Sequence, residues 1–586
     1  MAPAVARVLP DLPAVDRAFD YDATAEEPPL EVGDRVRVAL HGRSVRGWVV
    51  SLAERTEHGE LKAVARRLGL GPPAPVVALC EWAAWRWAGP WSKLLATASP
   101  ERVVTDTPKV PTLGVLPEVH NQLRVTGLRL VRDVSATLVR VGPCTDPIDL
   151  VLGVLHGVRS SGATGSVVVT TPTTAWAERL AERLRRRGVA AAGPERWAEA
   201  RAGFPVVVGA RAAALAPVPA LACAVVLDAH DDAYRQTQAP CWSAVGLLAE
   251  RCRREQAALV ATSWCPDPSL LALVSRTEPA EHESRMWPRL VVADLRAADP
   301  RERSLTSQLA VQAHRALDEP GEGVRVVVVL QRLGAARLLA CRSCGSLAVC
   351  EPHGRALHDV AGGLGCDLGC SEHPRVCVAC GAGALHVVRE GISTLTTRVA
   401  ALLGVEAVEV SAATKEVPQG ARVVVGTEAV LSRVRRAQLV CFADLDDYLG
   451  APRAHGSLAA LRAVGLAGRL VGARGSSAPG HVLVQTRQPD HPAVNAAVRG
   501  DPSELVADEV RVAAALSLPP HVALAALSGP GAAALADALG ALGVDVTEER
   551  GAFLAVAGSH RELCDALAAV GRGTESVRVE VDPPGR

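Results

Sequence analysis

Five nearly unbroken apolar runs constrain this chain more than any other feature. They are TLVRV at 137–141, SVVVT at 166–170, PVVVG at 205–209, ACAVVLD at 222–228 and AALVAT at 257–262. A strand with one wet face alternates apolar and polar residues, whereas a strand with no polar face is buried on both sides. Between the runs lie helical stretches such as AWAERLAERLRRRG, for which Thr173 or Thr174 is a fitting N-cap. Together they predict a parallel sheet covered by helices on both faces. A second alternating block runs from VRVVVVL (324–330) to HVLVQT (481–486), and a cysteine-rich stretch interrupts it. With 586 residues, 49% hydrophobic and 22% charged, the chain is a folded multidomain α/β protein with room for three to five domains.

The two ends read differently. Residues 1–67 read as a small β domain. RVRVAL (35–40) alternates, with Arg35 and Arg37 on one face and Val36, Val38 and Leu40 on the other, and GWVVSL follows a turn at Gly42. Residues 80–98 read as helix, and Trp82, Trp85, Trp87 and Trp91 read as helix core rather than as platforms for bases. Residues 105–135 have no strong period and read as a connector. Residues 521–582 follow the order β-α-β-β-α-β of a ferredoxin-like α+β domain.

Lys+Arg and Asp+Glu both number 63, so any nucleic-acid site must be a local basic patch. Arginine abundance by itself says little, because only Lys62, Lys93, Lys109 and Lys415 are lysines and the bias looks genomic. The first residues lack the apolar core of a secretory signal, and no stretch approaches the ~20 apolar residues of a membrane span. A cytoplasmic protein without membrane contact is expected.

Seven of the 15 cysteines fall between 341 and 380. The stretch contains Cys341-x-x-Cys344, Cys350-x-x-His353, Cys366-x3-Cys370 and Cys377-x-x-Cys380. Short loops of this kind let paired ligands reach one ion, and eight thiolate and imidazole ligands make two tetrahedral zinc sites. Nesting assigns Cys341, Cys344, Cys377 and Cys380 to the first ion and Cys350, His353, Cys366 and Cys370 to the second. His358 or His373 can replace a ligand of the second. Full coordination makes both zincs structural, in a module for binding protein or nucleic acid.

The order of these parts resembles the PriA family, the primosomal protein N-prime of bacterial replication restart. VLPDLPAVDRAFDY followed by LEVGDRVRVALHGRSVRGWVV is similar to that family's 3′-end-binding domain. The zinc cluster interrupts the second motor lobe as it does in PriA, and VLVQTRQPDHPAV and LSLPPHVALAAL resemble the closing motor strand and the C-terminal DNA-binding domain. The resemblance implies two RecA-like parallel-sheet lobes, at 137–300 and at 301–340 with 381–500, with a double-zinc insertion at 341–380 in the second. It further implies a 3′-end DNA-binding domain with a trailing helix at 1–98 and a C-terminal DNA-binding domain at 501–586. The connector 99–136 is too short for the family's winged helix. The implied 3′-end pocket falls on Phe19, Asp20, Tyr21, Gly42, Arg43 and Lys62. There an aromatic can stack on the last base, a carboxylate can meet a base edge or the 3′ hydroxyl, and Arg43 and Lys62 can meet phosphate.

The motor motifs depart from the family. A phosphate-cradling loop reads GxxxxGK[ST]. Here GPCTDPIDL keeps Gly142 and Thr145, but Asp146-Pro147 stand where Lys-Thr belong. In VVLDAHDDAYRQ (225–236) the family's Asp-Glu-Glu-His-Asp falls on Leu227, Asp228, Ala229, His230 and Asp231, so the metal-binding Asp is a leucine, while a one-residue slip would return Asp228 to that place. ATSWCPD (261–267) keeps the third motif only in part. Ala467-Gly468-Arg469 are kept, while Gly472 replaces the finger arginine. What remains of the ATP site is Gly142, Thr145, Asp228, His230 and Arg469. These losses strike the phosphate cradle, metal and finger together, so ATP turnover is expected to be gone, with the lobes persisting as scaffold. The expected function is replication restart without helicase activity. Its expected partners are forked and single-stranded DNA, primosome proteins, the replicative helicase or its loader, and single-stranded DNA-binding protein. Two rival readings stand beside it: an active ATP-dependent 3′-5′ DNA helicase with divergent motifs, and a zinc-ribbon nucleic-acid-binding protein with no fork role.

Overall fold

The parallel strands form where the apolar runs lie. A computed structural model describes residues 5–12, 15–24, 28–55, 60–193, 195–297, 305–330, 339–344, 346, 348–350, 355–360, 363–365, 373–387, 392–411, 413–414, 416–449, 455–477, 479–549, 551–571 and 576–583. The chain divides into two compact units. The first comprises residues up to Val141, Asp146–Ala280 and Val506 onward, and the second Gly142–Thr145 with Glu281–Leu505.

In the first unit a seven-stranded parallel sheet has the spatial order Arg276–Pro279, Ala136–Arg140, Ala258–Ser263, Leu221–Val226, Ser166–Thr170, Val206–Gly209, Ala191–Ala192. Its central strands are buried along their whole length. Thr173 caps the helix Thr174–Arg186 through the Trp176 amide at 3.2 Å, as the sequence predicts.

Ahead of this sheet, five antiparallel strands are ordered Phe19–Asp22, Val5–Pro10, Arg43–Ala53, Arg35–Leu40, Arg66–Gly69. Ala6, Val8, Val36, Val38 and Val49 fill their core. His41 and Gly42 join Arg35–Leu40 to Arg43–Ala53 with φ of 46° and 77°, the pair of positive angles that matches strand twist in a two-residue hairpin. The tryptophan segment is two helices, Ala74–Arg86 and Trp91–Ala98, interrupted before Pro90. Its indoles are packing groups: Trp87 is buried against Trp82 with centroids 5.5 Å apart, and Trp85 donates to Asp565 at 3.0 Å.

The connector holds an element that periodicity misses, the helix Asn121–Arg132. It lies so close to the helix Pro147–Ser161 that a Cβ on Gly127 would stand 1.7 Å from the Gly153 carbonyl oxygen. The closest contact is backbone to backbone across Gly127, Gly153 and Gly157, and Leu130 and Val131 on the same face are buried in the core beside it. The glycines were the signal.

The C-terminal domain has the predicted β-α-β-β-α-β order, with antiparallel strands Asp545–Glu549, Ala552–Ala557, Ala523–Ser528 and Arg578–Val581 side by side. In the second unit six parallel strands are ordered Arg289–Asp294, His481–Thr486, Leu439–Phe442, Val326–Val329, Val423–Gly426, Ala407–Val410. The expected boundary at 300 is thus corrected: Arg289–Asp294 pairs with His481–Thr486 at the edge of the second sheet, and the second unit resumes at Glu281. Among the described residues no helix is long and apolar enough to cross a membrane.

Asp582 ties three segments of the first unit together. Its carboxylate takes Arg86 of the tryptophan helix at 2.7 Å and His560 at 2.8 Å, and its carbonyl accepts from Arg235. Burial acts to raise the Asp582 pKa, but the His560 hydrogen bond and the Arg86 charge outweigh it and set it at about 2. A depressed carboxylate stabilises above its unfolded pKa of ~3.9, and that contribution fades as pH falls from there through the folded value. Asp582→Ala should lower unfolding free energy by about 3 kcal/mol at pH 7, because it leaves a largely buried arginine without its partner. Urea melts check this, and the gap between variant and parent should narrow at pH 3.

Candidate functional site

Three places carry chemistry. The first is the cysteine cluster, where short antiparallel ladders such as Leu339–Cys341 against Leu385–Val387 fold the stretch back on itself. This brings Cys341, Cys344, Cys377 and Cys380 together with all four sulfurs within 4.8 Å of one another. Cys341 and Cys380 stand 3.5 Å apart, and Cys344 and Cys377 3.6 Å. A tetrahedral zinc with Zn–S of ~2.3 Å sets its sulfurs ~3.8 Å apart, so the set fits that ion. Amide-to-sulfur bonds such as Ser343 N to Cys341 at 3.3 Å further suit thiolates. Hydrogen bonds from Ser346 lower the Cys344 thiol to about 6, so it is ready as a ligand at neutral pH. Of the second set, Cys350 is buried on the short strand Val349–Cys350, whereas His353, Cys366 and Cys370 lie outside the described residues.

The second place is the edge of the N-terminal sheet. Phe19, Asp20 and Tyr21 lie on one strand, whose side chains alternate between faces. Tyr21 is only 3% exposed, in the core, and its hydroxyl donates to the Ala39 carbonyl at 3.2 Å. That takes Tyr21 out of the implied 3′-end pocket, since a core ring has no free face for a base. Phe19 is half-buried beneath the Arg17 guanidinium, 4.9 Å from the ring centroid. Asp20 points to the other face and pairs with Arg7 at 3.1 Å. Lys62 is exposed beside the strand, held there by Asp22 N to Lys62 O at 3.0 Å and Val64 N to Asp22 O at 2.9 Å. Gly42 and Arg43 are exposed at the hairpin tip. Nothing lies within 4 Å of where a Gly42 Cβ would be, so the turn's positive φ, not a close neighbour, requires glycine there.

The third place is the loop after Ala136–Arg140. Asp146 caps the helix Pro147–Ser161, accepting from the Ile148 amide at 3.1 Å, with Pro147 in the first turn. Arg183 grips the same carboxylate at 3.1 and 2.5 Å. Burial would raise the Asp146 pKa, but Arg183 and the Ile148 amide hold it below the usual carboxylate range. The helix N-terminus, a ready anion site, therefore already holds an anion of its own. In the second unit Gly142 lies against Met286 and Glu283, Thr145 N bonds Gly142 O at 3.0 Å, Cys144 donates to the Gly468 carbonyl at 3.3 Å, and Arg469 donates to the Pro143 carbonyl at 2.8 Å. Gly472 ends the helix Gly456–Val471 at φ 87°, a conformation that suits glycine and not arginine.

The rest of the implied ATP site in the first unit, VVLDAHDDAYRQ, continues from the strand Leu221–Val226. Leu227 is buried, and its carbonyl accepts from the Tyr234 hydroxyl at 2.7 Å. Asp228 is buried at φ 53°, and its amide donates to Thr262 at 3.0 Å. His230 Nδ1 meets the Ser263 hydroxyl at 2.9 Å, and its ring stands against Trp264, 4.0 Å between centroids. The partly kept third motif thus supplies hydroxyls that hold the second motif's backbone and imidazole.

The thiol cluster yields a prediction. Cys344→Ser combined with Cys377→Ser should reduce bound zinc by one ion per chain, read by elemental mass spectrometry. Zinc retention by the parent should weaken as pH falls, because protons then compete for the thiolates.

A profile of the PriA 3′DNA-binding domain matches residues 7–100. Probable replication restart protein PriA of Mycobacterium leprae is 26% identical over 88% of this chain and 86% of its own length. That of Mycobacterium tuberculosis is 27% identical over 89% and 85%. Replication restart protein PriA of Synechocystis is 26% identical over 63% of this chain and 51% of its own. Among solved structures, the Mycobacterium smegmatis helicase Lhr bound to ssDNA and AMP-PNP is 12% identical over 67% of this chain and 48% of its own, with a TM-score of 0.34. Over most of its length the chain is thus similar to replication restart proteins PriA, and its residues 7–100 match the profile of their 3′DNA-binding domain.

Proposed function

We propose that this chain acts in replication restart. It recognises abandoned or stalled forks by the 3′ end of the nascent strand and promotes primosome assembly and reloading of the replicative helicase, without helicase activity of its own. The observation that carries the reading is the 3′DNA-binding domain at residues 7–100. Its strand edge offers Phe19 for stacking, Lys62 and Arg43 for phosphate, and Asp20 for a base edge or terminal hydroxyl. A second zinc, held by Cys350 with His353, Cys366 and Cys370, belongs to the same reading. The zinc module and the ferredoxin-like domain then serve contacts to partner proteins and DNA.

Two observations favour lost ATP turnover. Asp146, gripped by Arg183, occupies the helix N-terminus where a γ- or β-phosphate would be cradled. Leu227 is buried at the place of the metal-binding carboxylate. An anion added beside Asp146 meets like charge, and a buried leucine offers magnesium no ligand.

Labelled forks with a 3′ hydroxyl at the junction should bind more tightly than forks ending in a 3′ phosphate. Phe19→Ala with Asp20→Ala should abolish that preference, read by fluorescence anisotropy. Equal affinity of the parent for both forks favours the zinc-ribbon reading instead. Fork-stimulated ATP hydrolysis should remain at background, with Asp228→Ala changing nothing. Turnover that Asp228→Ala removes would restore the active-helicase reading.

A further inference from the structure

The N-terminal sheet contains an arrangement that its own stability does not explain. The strand register sets Arg37 directly opposite Arg46 on one neighbour and directly opposite Arg66 on the other. Residues in register across a ladder point to the same face, with Cβ atoms roughly 5 Å apart, and like charges so placed are destabilising. All three side chains are exposed. Among the described residues no ion pair involves Arg37 or Arg66, and Arg46 has only a loose contact to Asp11 at 3.8 Å. The repulsion is felt locally: burial and then the charge of Arg46 lower the pKa of Arg35, two residues along the same strand.

We infer that Arg37, Arg46 and Arg66 form a phosphate-backbone surface for the DNA duplex that leads up to the bound 3′ end. The row crosses three strands, roughly 10 Å at ladder spacing, and long arginine side chains extend that reach to successive phosphates of one backbone. Ala39 and Ser44, exposed and paired beside the row, offer no ring on which an unpaired base can stack, so the face suits a duplex rather than a single strand. The row is also continuous with the candidate end pocket. The segment that sets Lys62 beside Asp22 runs on into Arg66, and the strand that begins with Arg43 at the hairpin tip carries Arg46.

This inference rests on the reading that the domain holds a DNA 3′ end, and the test separates the two. Arg37→Gln, Arg46→Gln and Arg66→Gln are combined in the full chain. Binding to a fork with a paired 3′-hydroxyl end is measured by anisotropy across a salt series, beside the 3′-phosphate fork. Three lost phosphate contacts should flatten the slope of log K against log[salt] by about 2.7. The preference for the hydroxyl end should survive, and thermal stability should be retained or raised, because the substitutions relieve repulsion. An unchanged slope overturns the proposal. So does loss of the end preference together with the slope, since the arginines would then belong to the end pocket itself. A parent without end preference whose slope still falls sinks the 3′-end reading while the backbone surface stands.

Discussion

Burial of both faces is the constraint on which the rest of this structure depends. Every central strand of the two parallel sheets is closed off from water above and below. A polar substitution there would strand an unsatisfied group in the core, at a cost comparable to a large part of a domain's stability. The loops at the strand ends bear no such restriction. A chain can therefore change the residues at those strand ends while keeping the frame that displays them. Burial continues past the strand Leu221–Val226 from Leu227 through His230.

The frame was legible in the sequence because two-sided burial writes itself into composition. Strands read from the apolar runs fall at or within a residue or two of their observed bounds, and the C-terminal domain follows its predicted order. What escaped was set by partners remote in sequence. The helix Asn121–Arg132 buries only the short stripe Gly127, Leu130 and Val131, and its closest contact is glycine to glycine. Arg289–Asp294 looks like any short strand, and only its pairing with His481–Thr486 assigns it to a sheet.

Site residues were legible as chemistry and less so as geometry. The outer cysteine pairs come together as nesting implied, because ligand spacing is a local property. Phe19, Asp20 and Tyr21 read as one recognition motif, yet a strand sends alternate side chains to opposite faces, and the core takes Tyr21. Asp146 read as a charge hostile to phosphate. Its second role as a helix cap was signalled by the proline after it, since Asp before a proline in the first turn is a strong helix start.

That second role has a consequence for the history of the loop. A chain that placed lysine at 146, as phosphate-binding loops do, would lose the cap on Pro147–Ser161 and crowd one more cation against Arg183 and Arg187. Substituting Gly472 would force a side chain into a left-handed backbone. Each of these two substitutions thus costs the fold stability by itself. On the proposed reading of lost ATP turnover, the loop behaves as a ratchet, in which Asp146 and Gly472 hold the structure in a state from which single changes do not lead back.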